Sequence, residues 1–260
     1  MPLGAGLPSP PVVAVLPSPP EAALLLDLDG TLLDIAPTPD AVRVAPGLVD
    51  ALSAVREALG GALAIVTGRP IDQVDQLLPG VPYAVAGEHG GAIRAFPGAA
   101  VTRVSLPEPP AEWFAEAARI AQAHPGCLME QKQRGFVLHY RAVPEQGEAL
   151  REAVSGLIAP LGCQFQLMAA LMAWEVRPRG ADKGSAVQAL MGAQPFAGRR
   201  PIFIGDDVTD EDGMDAARAM NGAGLRVDDW FGTADGVRVW LAASAEALAR
   251  GGEWPGLPYR

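Results

Sequence analysis

Two carboxylates one residue apart, Asp27 and Asp29, close the apolar run Ala22 to Leu28 and are followed at once by Gly30 and Thr31. Side chains alternate along a strand, so the pair serves one centre only if the chain bends directly afterwards, a bend Gly30 permits. One carboxylate of such a pair attacks while the other moves a proton; the plain alternative is a solvated strand-end turn, which Asp and Gly also favour. Gly205-Asp206-Asp207-Val208-Thr209-Asp210-Glu211-Asp212 follows another apolar run, Ile202 to Ile204. Carboxylates this dense are costly without a cation, and an oxygen-rich, cysteine-free set suits Mg²⁺. Capping of the next helix accounts for Thr209, Asp210 and Glu211, but less well for Asp206.

Two further segments carry the chemistry of phosphate. Thr67-Gly68-Arg69 follows the run Ala62 to Val66 and precedes Pro70, which opens a helix, so a hydroxyl and backbone N–H groups face one edge. An ordinary Thr cap is the alternative, and the register with Asp27 is what makes the segment informative. Lys183 lies at a helix start, where an exposed cation is unfavourable against the helix dipole. A phosphate partner explains it; a solvated surface lysine is the bland account.

These residues need elements to position them. Short apolar runs at Ala22–Leu28, Ala62–Val66, Tyr83–Ala86, Pro201–Ile204 and Gly224–Val227 read as buried parallel strands. Between and after them, Pro46–Leu59, Ile71–Leu78, Lys183–Met191, Asp210–Ala219 and Ala234–Ala249 show helical spacing. The alternation predicts an α/β fold, a doubly wound, Rossmann-like parallel sheet covered by helices. From about Pro107 to Val176 the pattern changes. Helical segments at Ala111–Ala123 and Glu145–Ile158 accompany strand pairs at Cys127–Lys132 with Phe136–Arg141 and at Gln164–Met168 with Leu171–Val176. That predicts an α+β cap, residues 106–177, inserted into a core of residues 21–105 and 178–250. The arm 1–20, with seven prolines, and the tail 251–260 are expected to be loose.

Composition narrows the function classes. The 260 residues are 49% apolar and 19% charged, as in a globular chain with a sizeable core. A net charge of −10 repels phosphate backbones and anionic lipids, which speaks against nucleic-acid and membrane partners. An anionic small substrate stays open, because a metal and a few convergent cations reverse the field locally. Cys127 and Cys163 are too few for a disulfide framework or a metal cage and read as ordinary thiols. No Lys or Arg precedes Arg43, so the basic start of a secretory signal is missing.

Taken together, Asp27-Leu28-Asp29-Gly30-Thr31-Leu32, Thr67-Gly68-Arg69, Lys183-Gly184 and the Gly205 to Asp212 cluster resemble the haloacid dehalogenase superfamily of phosphotransferases. Gly87-Glu88-His89-Gly90, Glu130-x-Lys132, His139-Tyr140-Arg141 and Trp174-Glu175-Val176-Arg177-Pro178 narrow the likeness to the trehalose-6-phosphate phosphatases, over roughly residues 22–215. Departures are slight: Thr67 stands where Ser is common, and the proline-rich arm is additional. The resemblance implies Asp27 as nucleophile and Asp29 as general acid and base. It implies Mg²⁺ held by Asp27, the Asp29 backbone carbonyl and Asp206, with Asp207 and Asp210 in support. Phosphate would be bound by Thr67, Gly68, Arg69, Lys183 and backbone N–H groups at Gly30 and Thr31. Trehalose 6-phosphate would meet Glu88, His89, Glu130, Lys132, Arg141 and Glu175. Glu130 and Lys132, two apart on a strand, share a face. Trp174 either stacks on a sugar or, more in keeping with its apolar flanks, belongs to the core.

The resemblance also implies a cytoplasmic enzyme of trehalose biosynthesis. A phosphatase of another sugar phosphate is the nearest rival, and Glu130, Lys132 and the Gly87–Gly90 turn stand against it. From another class come a non-catalytic sugar-phosphate sensor and a receiver-like module; an intact Asp29 speaks against both.

Overall fold

The computed structural model describes residues 15–36, 42–79, 83–132, 134–170 and 172–258; most of the proline-rich arm, residues 1–14, and the last two residues lie outside them. The chain begins its main sheet with β1 (Ala22–Leu26), followed by α1 (Leu48–Ala58), β2 (Leu63–Val66), α2 (Ile71–Leu77) and β3 (Ala84–Gly87). All residues of these three strands are buried, as unbroken apolar runs demand of strands covered on both faces. Two strands not foreseen from periodicity follow, β4 (Ala92–Arg94) and β5 (Thr102–Arg103), an antiparallel extension of the sheet.

A second unit comes next: α3 (Ala111–Ala123), β6 (Leu128–Lys132), β7 (Gly135–His139), α4 (Gly147–Ile158), β8 (Phe165–Ala170) and β9 (Ala173–Pro178). Its strands form an antiparallel sheet in the order β6-β7-β9-β8, two hairpins joined along β7 and β9. One face is greasy: Phe136, Leu138, Phe165 and Val176 pack with Trp113 and Ala117 of α3 and Leu150, Val154 and Ile158 of α4. The opposite face carries the alternate residues, among them Glu130, Lys132, Val137, Glu175 and Arg177, and in register Glu130 pairs with Val137 and Val137 with Glu175.

The chain then returns to the main sheet through α5 (Lys183–Met191), β10 (Arg200–Gly205), α6 (Glu211–Ala219), β11 (Ala223–Arg226), α7 (Val227–Trp230) and α8 (Ala234–Ala249). The seven strands lie in the order β11-β10-β1-β2-β3-β4-β5, parallel from β11 to β3. Helices α1 and α8 pack together, as do α5 and α6. Because β10 and β2 flank β1 on opposite sides, the sheet changes winding direction at β1, and the crevice beyond its carboxyl end is where such folds take ligands. Asp27, Thr67, Glu88 and Asp206 each stand one residue past a strand that ends on that edge.

The tail has anchors of its own. Trp254 stacks on Trp240 of α8, ring centroids 5.5 Å apart, and its indole N–H donates to the Pro17 carbonyl at 2.8 Å. Among the described residues no helix is long and apolar enough to cross a membrane.

Candidate active site

At the end of β1 the chain turns sharply. Gly30 sits at φ +85°, and a Cβ on it would lie 2.1 Å from the Asp206 carboxylate, so only glycine lets the loop pass so close to the tip of β10. The side chain of Asp27 is 5% exposed. Lys183 Nζ donates to Asp27 Oδ1 at 2.7 Å and to Asp210 Oδ1 at 2.6 Å. The Thr31 hydroxyl lies 3.1 Å from Asp27 Oδ2 and 3.2 Å from Asp206 Oδ1 and joins the two carboxylates. Asp210 is fully buried, and its other oxygen accepts the backbone N–H groups of Asp206 and Asp207, both at 3.1 Å. Asp207 caps the short turn Val208–Asp210, accepting from the Thr209 N–H and hydroxyl, both at 2.7 Å.

Lys183 is therefore not the solvated surface lysine of the bland account. An Asp182–Ser185 capping box begins α5, and that geometry sends the lysine inward, to partners that lie 156 and 27 residues away along the chain. Burial by itself lowers the ammonium's pKa; Asp27 and Asp210 outweigh burial and raise it. Burial likewise pushes the Asp210 carboxyl up to about 8 and Asp206 up to about 6, the charge of Asp27 adding to both. Asp27 itself is raised by burial against the pull of Lys183.

Asp27, Asp206 and Asp210 each present an oxygen within 4.8 Å of the others. This donor set fits a hard divalent cation: it is all oxygen, and one ammonium faces three carboxylates. Asp210 is already committed to Lys183 and two backbone donors, which leaves Asp27 and Asp206 with the freer oxygens.

The chain bends after β1 as Asp27 and Asp29 require, yet the Asp29 carboxylate turns away from this cluster. Arg69 grips it with two bonds, Nε to Oδ2 at 2.6 Å and Nη2 to Oδ1 at 2.7 Å. Arg69, expected to face phosphate, here faces Asp29. Thr67 is buried at the tip of β2, its hydroxyl accepting the Arg69 N–H at 3.1 Å. Gly68 makes room for the His89 ring, which a Cβ there would approach to 2.6 Å.

Between the strand tips and the polar face of the small sheet lies a cleft of about 520 Å³. Gly68, Glu88 and His89 line it from one side, Glu130, Lys132 and Glu175 from the other. Asp27 and its partners lie beside the cleft rather than in its wall, and His89 connects the two. Burial lowers the imidazole pKa to about 4, with Lys183 and then Arg177 pushing the same way. Glu88 pairs with Arg103 at 2.8 Å. Glu130 pairs with Lys132 and, at 2.9 Å, with His139. Burial raises the carboxyl of Glu175, opposed by Arg177 and Lys132. Arg141 does not join them: β7 ends at His139, the strand alternation stops, and Arg141 is exposed outside the lining residues. Trp174 belongs to the greasy side, its N–H donating to the Gly147 carbonyl at 2.7 Å. Arg177 lines the cleft as well, although the sequence analysis assigns it no role. Arg177 is 7% exposed, two residues beyond Glu175 on the same face of β9, and that spacing was the available signal.

Residues 25–233 match the family model described as trehalose-phosphatase. A probable trehalose-phosphate phosphatase of Sinorhizobium fredii is 40% identical over 205 residues, covering 79% of this chain and 77% of that protein. The trehalose-6-phosphate phosphatase of Escherichia coli is 34% identical over 206 residues, with the same 79% and 77% coverage. Among solved structures, the C-terminal domain of the Candida albicans trehalose-6-phosphate phosphatase superimposes with a TM-score of 0.68 at 21% identity, covering 88% of this chain and 93% of that one. A haloacid dehalogenase-like hydrolase from Bacteroides thetaiotaomicron gives 0.57 at 16% identity, covering 88% and 98%. The core is accordingly an α/β, Rossmann-like fold of the haloacid dehalogenase type.

Proposed function

The chain belongs to the trehalose-phosphatase family, and from that premise we propose that it is a phosphomonoester hydrolase releasing inorganic phosphate from trehalose 6-phosphate. The observation that carries the reading is Asp27, buried at the tip of β1 between Lys183 and the Thr31 hydroxyl, with Asp206 alongside. In this reading Asp27 attacks phosphorus in line; the new bond makes an aspartyl-phosphate and the bond to the sugar oxygen breaks. Asp29 protonates that departing oxygen and then takes a proton from the water that hydrolyses the acyl-phosphate, returning Asp27 and phosphate. Arg69 holds Asp29 until a phosphate competes for its guanidinium. Lys183 and Thr67, with backbone N–H groups at Gly68 and Thr31, hold the equatorial oxygens of the transferring group, whereas the Gly30 N–H, also expected there, donates to the Leu33 carbonyl at 2.7 Å. Asp27, Asp206 and the Asp29 carbonyl would hold Mg²⁺, with Asp207 and Asp210 keeping the loop in place. Bound there, the ion offsets the repulsion between an anionic nucleophile and a phosphate dianion.

Residues 106–177 act in this reading as a cap over a core of 21–105 and 178–250. Glu88, His89, Glu130, Lys132 and Glu175 would select the sugar, and closure would exclude bulk water. An enzyme of this kind serves trehalose biosynthesis, in the cytoplasm. Phosphate release from trehalose 6-phosphate, sucrose 6-phosphate and glucose 6-phosphate, each with Mg²⁺ or EDTA, tests the proposal. The trehalose ester should turn over selectively, stop with EDTA, and slow by about 10³-fold or more in Asp27→Asn. Equal turnover of all three esters would remove the substrate assignment; turnover that survives Asp27→Asn would remove the nucleophile.

A further inference from the structure

Three polar side chains in the cleft wall make no side-chain hydrogen bond among the described residues: His89, Glu175 and Arg177. Arg177 is the least exposed of them. Its guanidinium has five N–H donors and a full charge, yet the residue is 7% exposed, its Nε is buried without a partner, and its nearest carboxylate, Asp212, stands 3.9 Å away. A structural strut between β9 and α6 would close that gap to hydrogen-bond distance. Buried donors of this kind are ordinarily satisfied, and because Arg177 lines the cleft, a ligand there can complete the guanidinium's donor set.

The neighbours of Arg177 decide the chemistry of that ligand. Glu175 lies two residues away on the same face, and Asp212 stands behind. A phosphate dianion placed against Arg177 would face both carboxylates. A hydroxyl suits the site better, because it accepts from the guanidinium while donating to Glu175. The neutral His89 imidazole, its Nδ1 buried and unpartnered, adds a further acceptor or donor.

We propose that Arg177 is a substrate-binding residue that donates to hydroxyls of the sugar ring bearing the phosphate, forming one subsite with Glu175 and His89 at the inner end of the cleft. The proposal rests on the function proposed above. Glu130, Lys132 and His139 satisfy one another and are about half exposed, so they are left for the outer ring.

The test compares wild type with Arg177→Met and Arg177→Lys by three readings: kcat and KM for trehalose 6-phosphate and for p-nitrophenyl phosphate, calorimetric binding of trehalose itself, and thermal unfolding. Arg177→Met should raise KM for the sugar ester about tenfold to a hundredfold and weaken trehalose binding by a similar factor, with Arg177→Lys intermediate. KM for the sugarless ester should shift less than about twofold. Trehalose bound by Arg177→Met as tightly as by wild type would overturn the inference, as would an equal rise of KM for both esters, or a fall in melting temperature with KM unmoved. Calorimetry separates the two readings. A wild type that binds trehalose through Arg177 but releases no phosphate sinks the hydrolase and keeps the subsite, whereas a wild type that binds no trehalose removes the subsite.

Discussion

The centre at the strand tips and the cleft beside it are built on opposite terms. Around Asp27 the groups hold one another in place: Lys183 meets Asp27 and Asp210, Thr31 meets Asp27 and Asp206, and two backbone N–H groups meet Asp210, while Asp27 and Asp206 keep the freer oxygens for a cation. In the cleft, the side chains of His89, Glu175 and Arg177 make no hydrogen bond to the described residues, and the Asp212 carboxylate stands 3.9 Å from Arg177. The first arrangement holds dipoles fixed before substrate arrives, which is how charge transfer is stabilised without reorganisation. The second leaves donors and acceptors open for a ligand to complete. Changes at the centre should therefore alter rate and stability together, while changes in the cleft should alter affinity first.

The harshest test of that contrast is Lys183→Met. Removing the ammonium leaves three neighbouring carboxylates with no cation, and breaking a buried pair from one side costs about 3–5 kcal/mol. The melting temperature should drop by roughly 10 °C at neutral pH, and kcat should fall about 10²- to 10³-fold. Scanning calorimetry and phosphate release measure the two. A variant that loses rate but melts with the wild type would show the centre to be no more preorganised than the cleft.

How far this contrast was legible in the sequence differs between its two sides. The helices at Ala111–Ala123, Lys183–Met191 and Ala234–Ala249 coincide with their predicted bounds, because apolar spacing marks the first and the capping residues Asp182 and Thr233 mark the starts of the other two. Three-residue β4 and two-residue β5 fall below the length at which alternation carries a signal. The strand-end carboxylates were visible because each follows an apolar run. Their partners were not, since Lys183 reaches Asp27 across 156 residues and Arg69 reaches Asp29 across 40, and only the sheet order brings those segments together. Arg141 shows the same limit from the other side: its distance from the cleft depends on where β7 stops, and residue types alone do not mark that.

Glu130→Gln sharpens the cleft's side of the comparison. Its carboxylate is held charged chiefly by the Lys132 hydrogen bond, with His139 adding to it. Neutralising it frees both partners but leaves the fold alone, since all three side chains are about half exposed. KM for trehalose 6-phosphate should rise about tenfold with kcat within roughly threefold of wild type. Steady-state kinetics beside a melting curve decides it: a loss lodged in kcat, or a melting shift as large as that of Lys183→Met, would erase the distinction between the two regions.

The mildest effect comes from His89, which belongs to both regions. Burial, then Lys183 and Arg177, lower its pKa in the folded chain from 6.5 to about 4. As pH falls below about 6.5 the unfolded chain takes up this proton while the folded chain does not, so stability present at neutral pH is lost between roughly 6.5 and 4 and is level below that. The loss should be on the order of 1–2 kcal/mol after allowance for partial solvent screening, or a few degrees in melting temperature. Asparagine tolerates the left-handed conformation that His89 adopts at φ +54° and carries no titrating group, so His89→Asn is the matched control. Other carboxylates titrate in the same window, so the measurement is the difference in slope between wild type and variant. The wild type should lose melting temperature more steeply from pH 6.5 to 4, and parallel slopes would mean that the imidazole is not held neutral between the cations of the centre and those of the cleft.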